Sequence, residues 1–104
     1  MPLIRNRGVE EVAVLAVTPT AGTVIRSLTR AATLPDEAGL RLTRDHEHRS
    51  LHMALAVRAE PGDLTVLASD DVRVFVDPRV RTQLAAVTLD AEIRGGERRF
   101  YIHN

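Results

Sequence analysis

Residues 72–78 read VRVFVDP, and this stretch predicts a strand that runs directly into a helix. Val72, Val74 and Val76 occupy alternate positions, which is the period of a half-buried strand. Asp77 can cap a following helix, and Pro78 suits its first position because proline lacks the N–H that a helix start leaves unpaired. The stretch predicts a strand and a short second helix that turns three side chains inward: Val80, Leu84 and Ala85.

The first helix is predicted upstream, between residues 18 and 33. Thr18 is a capping residue, and Pro19 again stands at the first helical position. The apolar residues of the segment recur at the i, i+3, i+4, i+7 spacing of one buried helical face. They are Ala21, Val24, Ile25, Leu28 and Ala32. The helix should end near Thr33, because the Leu34-Pro35 pair that follows disfavours further helix.

Alternating apolar and polar residues predict most of the strands. The alternation occurs at 40–43, 51–58, 72–77 and 87–92, a short strand is predicted at 64–68, and Gly95-Gly96 supplies the turn of a closing hairpin. The order strand, helix, four strands, helix, two strands contains no βαβ repeat. It predicts the α+β class, with a compact domain built on a curved, mostly antiparallel β-sheet and two helices. Residues 1–11 lack any period and are predicted to form an N-terminal arm, which leaves 12–104 as the domain.

The charge balance limits the classes of function. Fourteen basic residues, all of them arginine, balance fourteen acidic residues in the 104, and 44% of the chain is apolar. Zero net charge argues against a general binder of nucleic acid or membrane surfaces, so we expect neither as a partner. No secretory signal is visible near the start, and the longest apolar run, Val12–Val17, is too short to cross a bilayer. We expect a cytoplasmic protein.

The sequence contains no cysteine. Disulfides, a cysteine nucleophile, thiolate zinc sites and cysteine-ligated iron–sulfur clusters formed by this chain alone are therefore excluded. The sequence also offers no nucleophile elbow and no phosphate-binding loop. These observations favour a protein that is not an enzyme.

Several stretches occur in an order that is typical of one family. LAVTP at 15–19, GLRL at 39–42, VRVFVDP at 72–78 and TLD at 88–90 together resemble the HesB-like, A-type iron–sulfur carrier family. The last residues, FYIHN at 100–104, are similar to the closing strand of that family. The resemblance rests on the collinear order of these stretches and spans residues 14–104.

The resemblance implies a HesB-like domain that forms dimers or tetramers, or that pairs with iron–sulfur assembly proteins. Ordinary members use three cysteines to hold iron or an iron–sulfur cluster between subunits. The first lies after the GLRL strand, where this chain has DHEHRS at 45–50, and the other two lie in a Cys-Gly-Cys segment that these 104 residues do not contain. Scaffold positions carry over without the ligands: Val76, Asp77, Leu84, Leu89 and Asp90. The chain is expected to be an accessory or interaction module in iron–sulfur cluster assembly, without a cysteine-ligated cofactor.

A cluster of histidines and a carboxylate occupies the place of the missing first cysteine. His46, Glu47 and His48 are consecutive, and His52 follows four residues later. Imidazole and carboxylate groups are ligands suited to zinc or iron, so a metal-binding protein that uses these four residues is the alternative function. The same residues also fit a solvated hairpin, or a pH-responsive contact, since histidine titrates near neutral pH. His103 is expected to be part of an exposed chain end.

Overall fold

The computed structural model describes residues 15–45, 47, 50–68 and 72–103. In chain order the elements are β1 (Ala16–Val17), α1 (Pro19–Ala31), β2 (Gly39–Arg44), β3 (Leu51–Ala56), β4 (Leu64–Leu67), β5 (Arg73–Val76), a 3-10 helix (Pro78–Val80), β6 (Thr88–Arg94) and β7 (Glu97–His103). Within these residues no helix is long and apolar enough to span a membrane. The predicted N-terminal arm, 1–11, lies outside the described residues, and its boundary stays a prediction.

One sheet has four strands in the order β3-β2-β5-β4. β2 pairs antiparallel with β3 and parallel with β5, while β4 pairs antiparallel with β5. Successive side chains of a strand point to opposite faces of a sheet, so the alternating apolar residues collect on one face. That face lies on the core. The inner face carries two rows of apolar side chains, namely Leu42, Met53 and Val76, and Leu40, Leu55 and Val74.

The parallel pair of β2 and β5 begins with a close approach of two backbones. Gly39 lies opposite Arg73 in the strand register. A Cβ atom at Gly39 would overlap the backbone carbonyl oxygen of Arg73, so glycine is required where the two strands come together.

The other sheet has three strands in the order β1-β6-β7. β1 is parallel to β6, with Ala16 opposite Thr88, and β6 forms an antiparallel hairpin with β7. The hairpin turns at Gly95 and Gly96, whose φ angles of 58° and 83° suit a type I′ turn. The predicted closing hairpin is confirmed.

The helix α1 contacts β2 of one sheet and β6 of the other. Thr18 caps it, because its Oγ1 accepts a hydrogen bond of 3.1 Å from the N–H of Ala21. The predicted buried face is confirmed at its N-terminal end, where Ala21, Val24 and Ile25 are each at most 1% exposed. The burial of this face decreases towards the C-terminus of α1, where Leu28 is half-buried and Ala32 is the exposed C-cap.

The α+β class and the mostly antiparallel pairing are confirmed, but the single predicted sheet is two sheets. Among the described residues, three strand pairs are antiparallel and two, β1 with β6 and β2 with β5, are parallel. Both parallel pairs join strands that are far apart in the sequence. Local alternation reveals that a strand exists, whereas it does not reveal which distant strand lies beside it.

The second predicted helix is also corrected. Pro78–Val80 is one turn of 3-10 helix, and residues 81–86 continue as turns. Val80 and Leu84 are buried as predicted, while Ala85 is half-buried. The segment ends at Ala86, whose φ of 61° is left-handed, so too few residues are available for a stable α-helix.

Candidate functional site

The predicted metal ligands belong to the connection between β2 and β3 and to the beginning of β3. His46 and His48 lie outside the described residues. Glu47 is exposed, and its N–H donates a hydrogen bond of 3.0 Å to Oδ1 of Asp45. His52 is the second residue of β3, exposed and directly opposite Thr43. Two of the four predicted ligands are thus placed at the same end of the hairpin.

The end of the hairpin forms a shallow concavity. Its volume is about 510 Å³, and its lining residues are Thr43, Arg44, Asp45, Glu47 and His52. Carboxylates of two residues and one imidazole therefore face a common space. The described residues nevertheless contain no group of three or more potential ligands close enough to hold a metal ion. A site here would depend on side chains of the hairpin tip in addition to His52 and Glu47.

The outer face of the four-stranded sheet carries a buried ion-pair network. Arg41 of β2 donates from Nε and Nη2 to both oxygens of Asp63, each at 2.9 Å, and also from Nη2 to Oδ2 of Asp77 at 3.1 Å. The Asp63 side chain is fully buried and that of Asp77 is 5% exposed. Asp63 directly precedes β4, and β5 lies between β2 and β4, so the Arg41 side chain crosses β5 to reach Asp63. On the outer face of β5, Phe75 is only 1% exposed.

Asp77 is held from both sides. Besides Arg41, it accepts two hydrogen bonds from the guanidinium of Arg79, at 3.1 and 2.8 Å, and one of 2.8 Å from the Arg79 backbone N–H. The predicted capping role of Asp77 is confirmed for the 3-10 helix. These Arg79 hydrogen bonds hold the pKa of the Asp77 carboxyl well below its usual range, and the hydrogen bonds of Arg41 lower the pKa of Asp63.

A second polar network lies on the three-stranded sheet. Oδ1 of Asp90 in β6 accepts a hydrogen bond of 2.7 Å from the Thr18 hydroxyl and one of 2.8 Å from the N–H of Ala91. Oδ2 of Asp90 accepts a hydrogen bond of 3.2 Å from the Tyr101 hydroxyl and lies 3.4 Å from Nε2 of His103. The Thr18 hydrogen bond is the main reason that the pKa of Asp90 is lowered. His103 therefore lies in a strand and beside a carboxylate.

Neither network was identified from the sequence. The bidentate pair of Arg41 and Asp63 joins residues 22 positions apart, and the bond from Thr18 to Asp90 joins residues 72 positions apart. The alternation in β2 did place Arg41 on the face away from the core. An arginine in the middle of a predicted strand was the available signal, because such a cation needs a carboxylate partner once that face of the strand is covered.

Comparison with solved structures gives close matches to the fold. SufA of Escherichia coli, described as involved in biosynthesis of iron–sulfur clusters, matches with a TM-score of 0.71 and 24% identity over 86% of this chain and 84% of SufA. A protein from Aquifex aeolicus gives a TM-score of 0.69 and 21% identity over 88% of this chain and 91% of its own. IscA with a [2Fe-2S] cluster gives a TM-score of 0.64 and 18% identity over 88% of this chain and 82% of the IscA chain.

The sequence itself matches no protein-family model and no curated protein. The structural matches confirm the predicted resemblance at the level of the fold. The chain has the fold of SufA and IscA, and it contains none of the cysteines that the resemblance associates with iron–sulfur chemistry.

Proposed function

We propose that this chain is a non-enzymatic accessory protein of iron–sulfur cluster assembly that acts in the cytoplasm. The observation that carries the proposal is the agreement of its fold with SufA over 86% of the chain, combined with a sequence that contains no cysteine. The resemblance implies that such domains associate, and the fold agreement supports extending this expectation to the present chain. The missing thiolates remove cluster binding by this chain alone.

The proposed mode of action is pairing with a cysteine-bearing A-type carrier, or with itself. When the ligands of a cluster come from two subunits, replacing one subunit by a chain without thiolates lowers the number of ligands in the assembly. A mixed dimer would then hold its cluster less tightly and release it sooner to an acceptor. The accessory chain would tune the carrier through its subunit composition.

The test is a mixing experiment with a cysteine-bearing A-type carrier loaded with its cluster under anaerobic conditions. Native mass spectrometry should detect a mixed oligomer, and visible absorption should show faster transfer of the cluster to an acceptor apoprotein. The proposal is wrong if the mixture contains carrier oligomers alone, at concentrations where the carrier associates with itself, and transfer is unchanged.

Two matched variants can locate the pairing surface. Leu67 at the edge strand β4 and Ile93 on the β6–β7 hairpin are 65% and 60% exposed, so arginine at either position should leave the fold intact. Leu67→Arg tests the four-stranded sheet and Ile93→Arg tests the three-stranded sheet. A specific interface should be weakened by one of the two variants, and each serves as the control for the other.

The second candidate function is metal binding by His46, Glu47, His48 and His52. It is favoured by the common concavity that Glu47 and His52 line with Asp45. We expect stoichiometric uptake of zinc or ferrous iron that the double variant His46→Ala/His48→Ala abolishes. His103→Ala on β7 is the matched control and should bind metal as the unmodified protein does. Uptake that survives the double variant would exclude this site.

Anaerobic reconstitution with iron and sulfide separates the two candidates. An accessory chain should stay colourless and free of stoichiometric metal, whereas a histidine site should retain metal without the absorption of a thiolate-ligated cluster. The metal content and the visible spectrum of the same sample decide between them.

A further inference from the structure

The outermost strand of the four-stranded sheet, β3, has no neighbouring strand on one side among the described residues. Its six residues read LHMALA and contain no arginine, acidic residue, glycine or proline. An exposed strand edge presents unpaired N–H and C=O groups to other chains, and proteins usually block such an edge with charge, proline or a very short strand. The β3 strand has none of these protections.

The other strand edges in the described part of the chain are protected. Strand β1 has two residues and β4 has four, while β7 has seven but carries Glu97, Arg98 and Arg99. Pairing with a further strand is therefore limited by length at β1 and β4, and it is opposed by charge at β7. Of these edges, β3 alone is both long and uncharged.

The backbone groups of β3 that point outward follow from the pairing with β2. The N–H of Asp45 donates a hydrogen bond of 2.8 Å to the carbonyl oxygen of Ser50, and bonded residues alternate along an antiparallel pair. His52 and Ala54 therefore form the next bonds to β2. The residues between them direct their N–H and C=O groups away from the sheet, namely Leu51, Met53 and Leu55.

Two copies of β3 are complementary when they run antiparallel about a twofold axis at Met53. Leu51 then lies opposite Leu55 of the second copy, Met53 lies opposite Met53, and all three outward residues of each strand exchange hydrogen bonds. On the outer face, the exposed His52 lies opposite the small side chain of Ala54. An arginine or a carboxylate near the axis would meet its own charge, and β3 contains neither.

The apolar row on the inner face of β3 is incompletely covered in one copy. Leu51, Met53 and Leu55 pack against the core but are only half-buried. Val57 follows them at the same alternation and is 47% exposed. A second copy of the strand would cover this row, and burial of apolar surface drives association.

We propose that this chain forms a twofold dimer through β3, centred on Met53, in which the four-stranded sheets of two copies join into one continuous sheet. The arrangement closes on itself, because each copy uses the same edge. A strand pair of this length lies at the low end of interface sizes, so the dissociation constant should be on the order of 100 µM. The contact goes beyond the proposed pairing with a carrier, because it needs neither a carrier nor a cluster.

The test is sedimentation equilibrium of the full chain alone, between about 10 µM and 1 mM, in buffer that contains a metal chelator. The chelator prevents association through a metal ion held by histidines. A monomer–dimer equilibrium is expected. A monomer throughout this range, or assemblies that grow beyond a dimer, would overturn the proposal. Either result leaves the outcome of mixing with a carrier unchanged, so the two proposals can fail separately.

Amide hydrogen exchange identifies the edge that is used. The N–H groups of Leu51, Met53 and Leu55 should exchange about threefold more slowly at about 1 mM than at about 20 µM. Those of Thr65 and Leu67, on the opposite edge strand β4, should exchange at the same rate at both concentrations. Slower exchange on β4 instead, or no change on β3, would overturn the proposal.

A charge swap at His52 tests the twofold register. His52 is exposed, and the axis at Met53 brings the two copies of His52 near each other. His52→Arg and His52→Glu should each weaken dimerisation by about fivefold through like charges, whereas an equimolar mixture of the two variants should restore it. Recovery in the mixture would also show that both variants are folded.

The matched control is Leu67→Arg, which adds the same charge at the opposite edge of the same sheet. Leu67 is 65% exposed, and this variant should dimerise as the unmodified protein does. Equal weakening by Leu67→Arg and His52→Arg would show general repulsion between copies and would overturn the β3 contact. A mixture of the two His52 variants that fails to recover would overturn the register at Met53.

Discussion

The two sheets of this protein each place an aspartate where a parallel strand pair meets the start of a helix, and they satisfy it in different ways. Asp77 follows β5 and caps the 3-10 helix directly. Asp90 lies in β6 and acts through Thr18, whose hydroxyl donates to Asp90 while its oxygen accepts from the first turn of α1. Both aspartates join a strand to a helix.

The difference between them follows from burial. The side chain of Asp77 is 5% exposed and is neutralised by two guanidiniums, while that of Asp90 is 23% exposed and is bound mainly by hydroxyl and amide donors. A buried carboxylate is stable only beside an opposite charge, whereas a carboxylate in contact with water is satisfied by neutral donors. The four-stranded sheet should therefore depend on ion pairs more strongly than the three-stranded sheet does.

The largest effect is expected from Asp77→Ala. The change removes the cap and leaves Arg41, which is itself largely buried, with one carboxylate fewer. We expect the free energy of unfolding, measured by urea denaturation, to fall by about 4 kcal/mol. Asp77→Asn keeps an acceptor for the Arg79 N–H and should therefore reduce the free energy of unfolding less than Asp77→Ala does. A loss below about 1 kcal/mol for Asp77→Ala would contradict the importance of the ion pairs.

Gly39→Ala tests the backbone approach that brings β2 and β5 together. The added methyl group overlaps the carbonyl oxygen of Arg73, so the parallel pair must separate. The expected destabilisation is about 3 kcal/mol by the same measurement. Thr43→Ala, farther along β2 and on the same face, is the control and should change stability little. An unaltered unfolding midpoint for Gly39→Ala would show that the strands can move apart freely.

Acid should weaken the ion-pair network before it affects neutral hydrogen bonds. The pKa of Asp77 and that of Asp63 are lowered in the folded state, so their contribution is present above the usual carboxyl pKa near 3.8 and is lost as the pH falls through the folded-state values. The stability difference between the unmodified protein and Asp77→Asn should shrink by about 2 kcal/mol between neutral pH and about pH 2. A difference that does not vary with pH would assign the effect of the variant to packing.

The smallest effect is expected on the three-stranded sheet. Thr18→Ala removes the cap of α1 and should reduce the free energy of unfolding by about 1 kcal/mol. Thr23→Ala, at an exposed position of the same helix, is the control. A double-mutant cycle of Thr18→Ala with Asp90→Asn should show coupling, because the two side chains share a 2.7 Å hydrogen bond. Additive losses would mean that Asp90 does not act through the cap.

Local features of the fold could be predicted from the sequence. The cap at Thr18, the buried face of α1, the cap at Asp77 and the turn at Gly95-Gly96 each depend on residues within a few positions of one another. Propensity and periodicity report on that range of sequence. The second helix was overestimated because only its apolar spacing is a local feature. The spacing was correct, but the segment from Pro78 to Ala86 is too short to hold a stable α-helix.

Features that join distant residues could not be predicted in the same way. The separation into two sheets, the burial of Phe75 on the outer face and the partners of Arg41 depend on which strands are neighbours. The candidate metal site is an intermediate case. Its location in a hairpin followed from the polar residues between two alternating strands, and His52 lies at that end of the β2–β3 hairpin. The ligand role of His46, Glu47, His48 and His52 stays a prediction.

The pairing of β1 with β6 also determines how the chain can fold. These strands and the bond from Thr18 to Asp90 join residues 72 positions apart, so most of the chain must form a closed loop before their contacts stabilise anything. Such a high contact order predicts slower folding than a helical bundle of the same length. During synthesis at roughly 5–20 residues per second, β1 waits about 4–14 s for its neighbour. The edge strand β1 is therefore synthesised well before the strand with which it pairs.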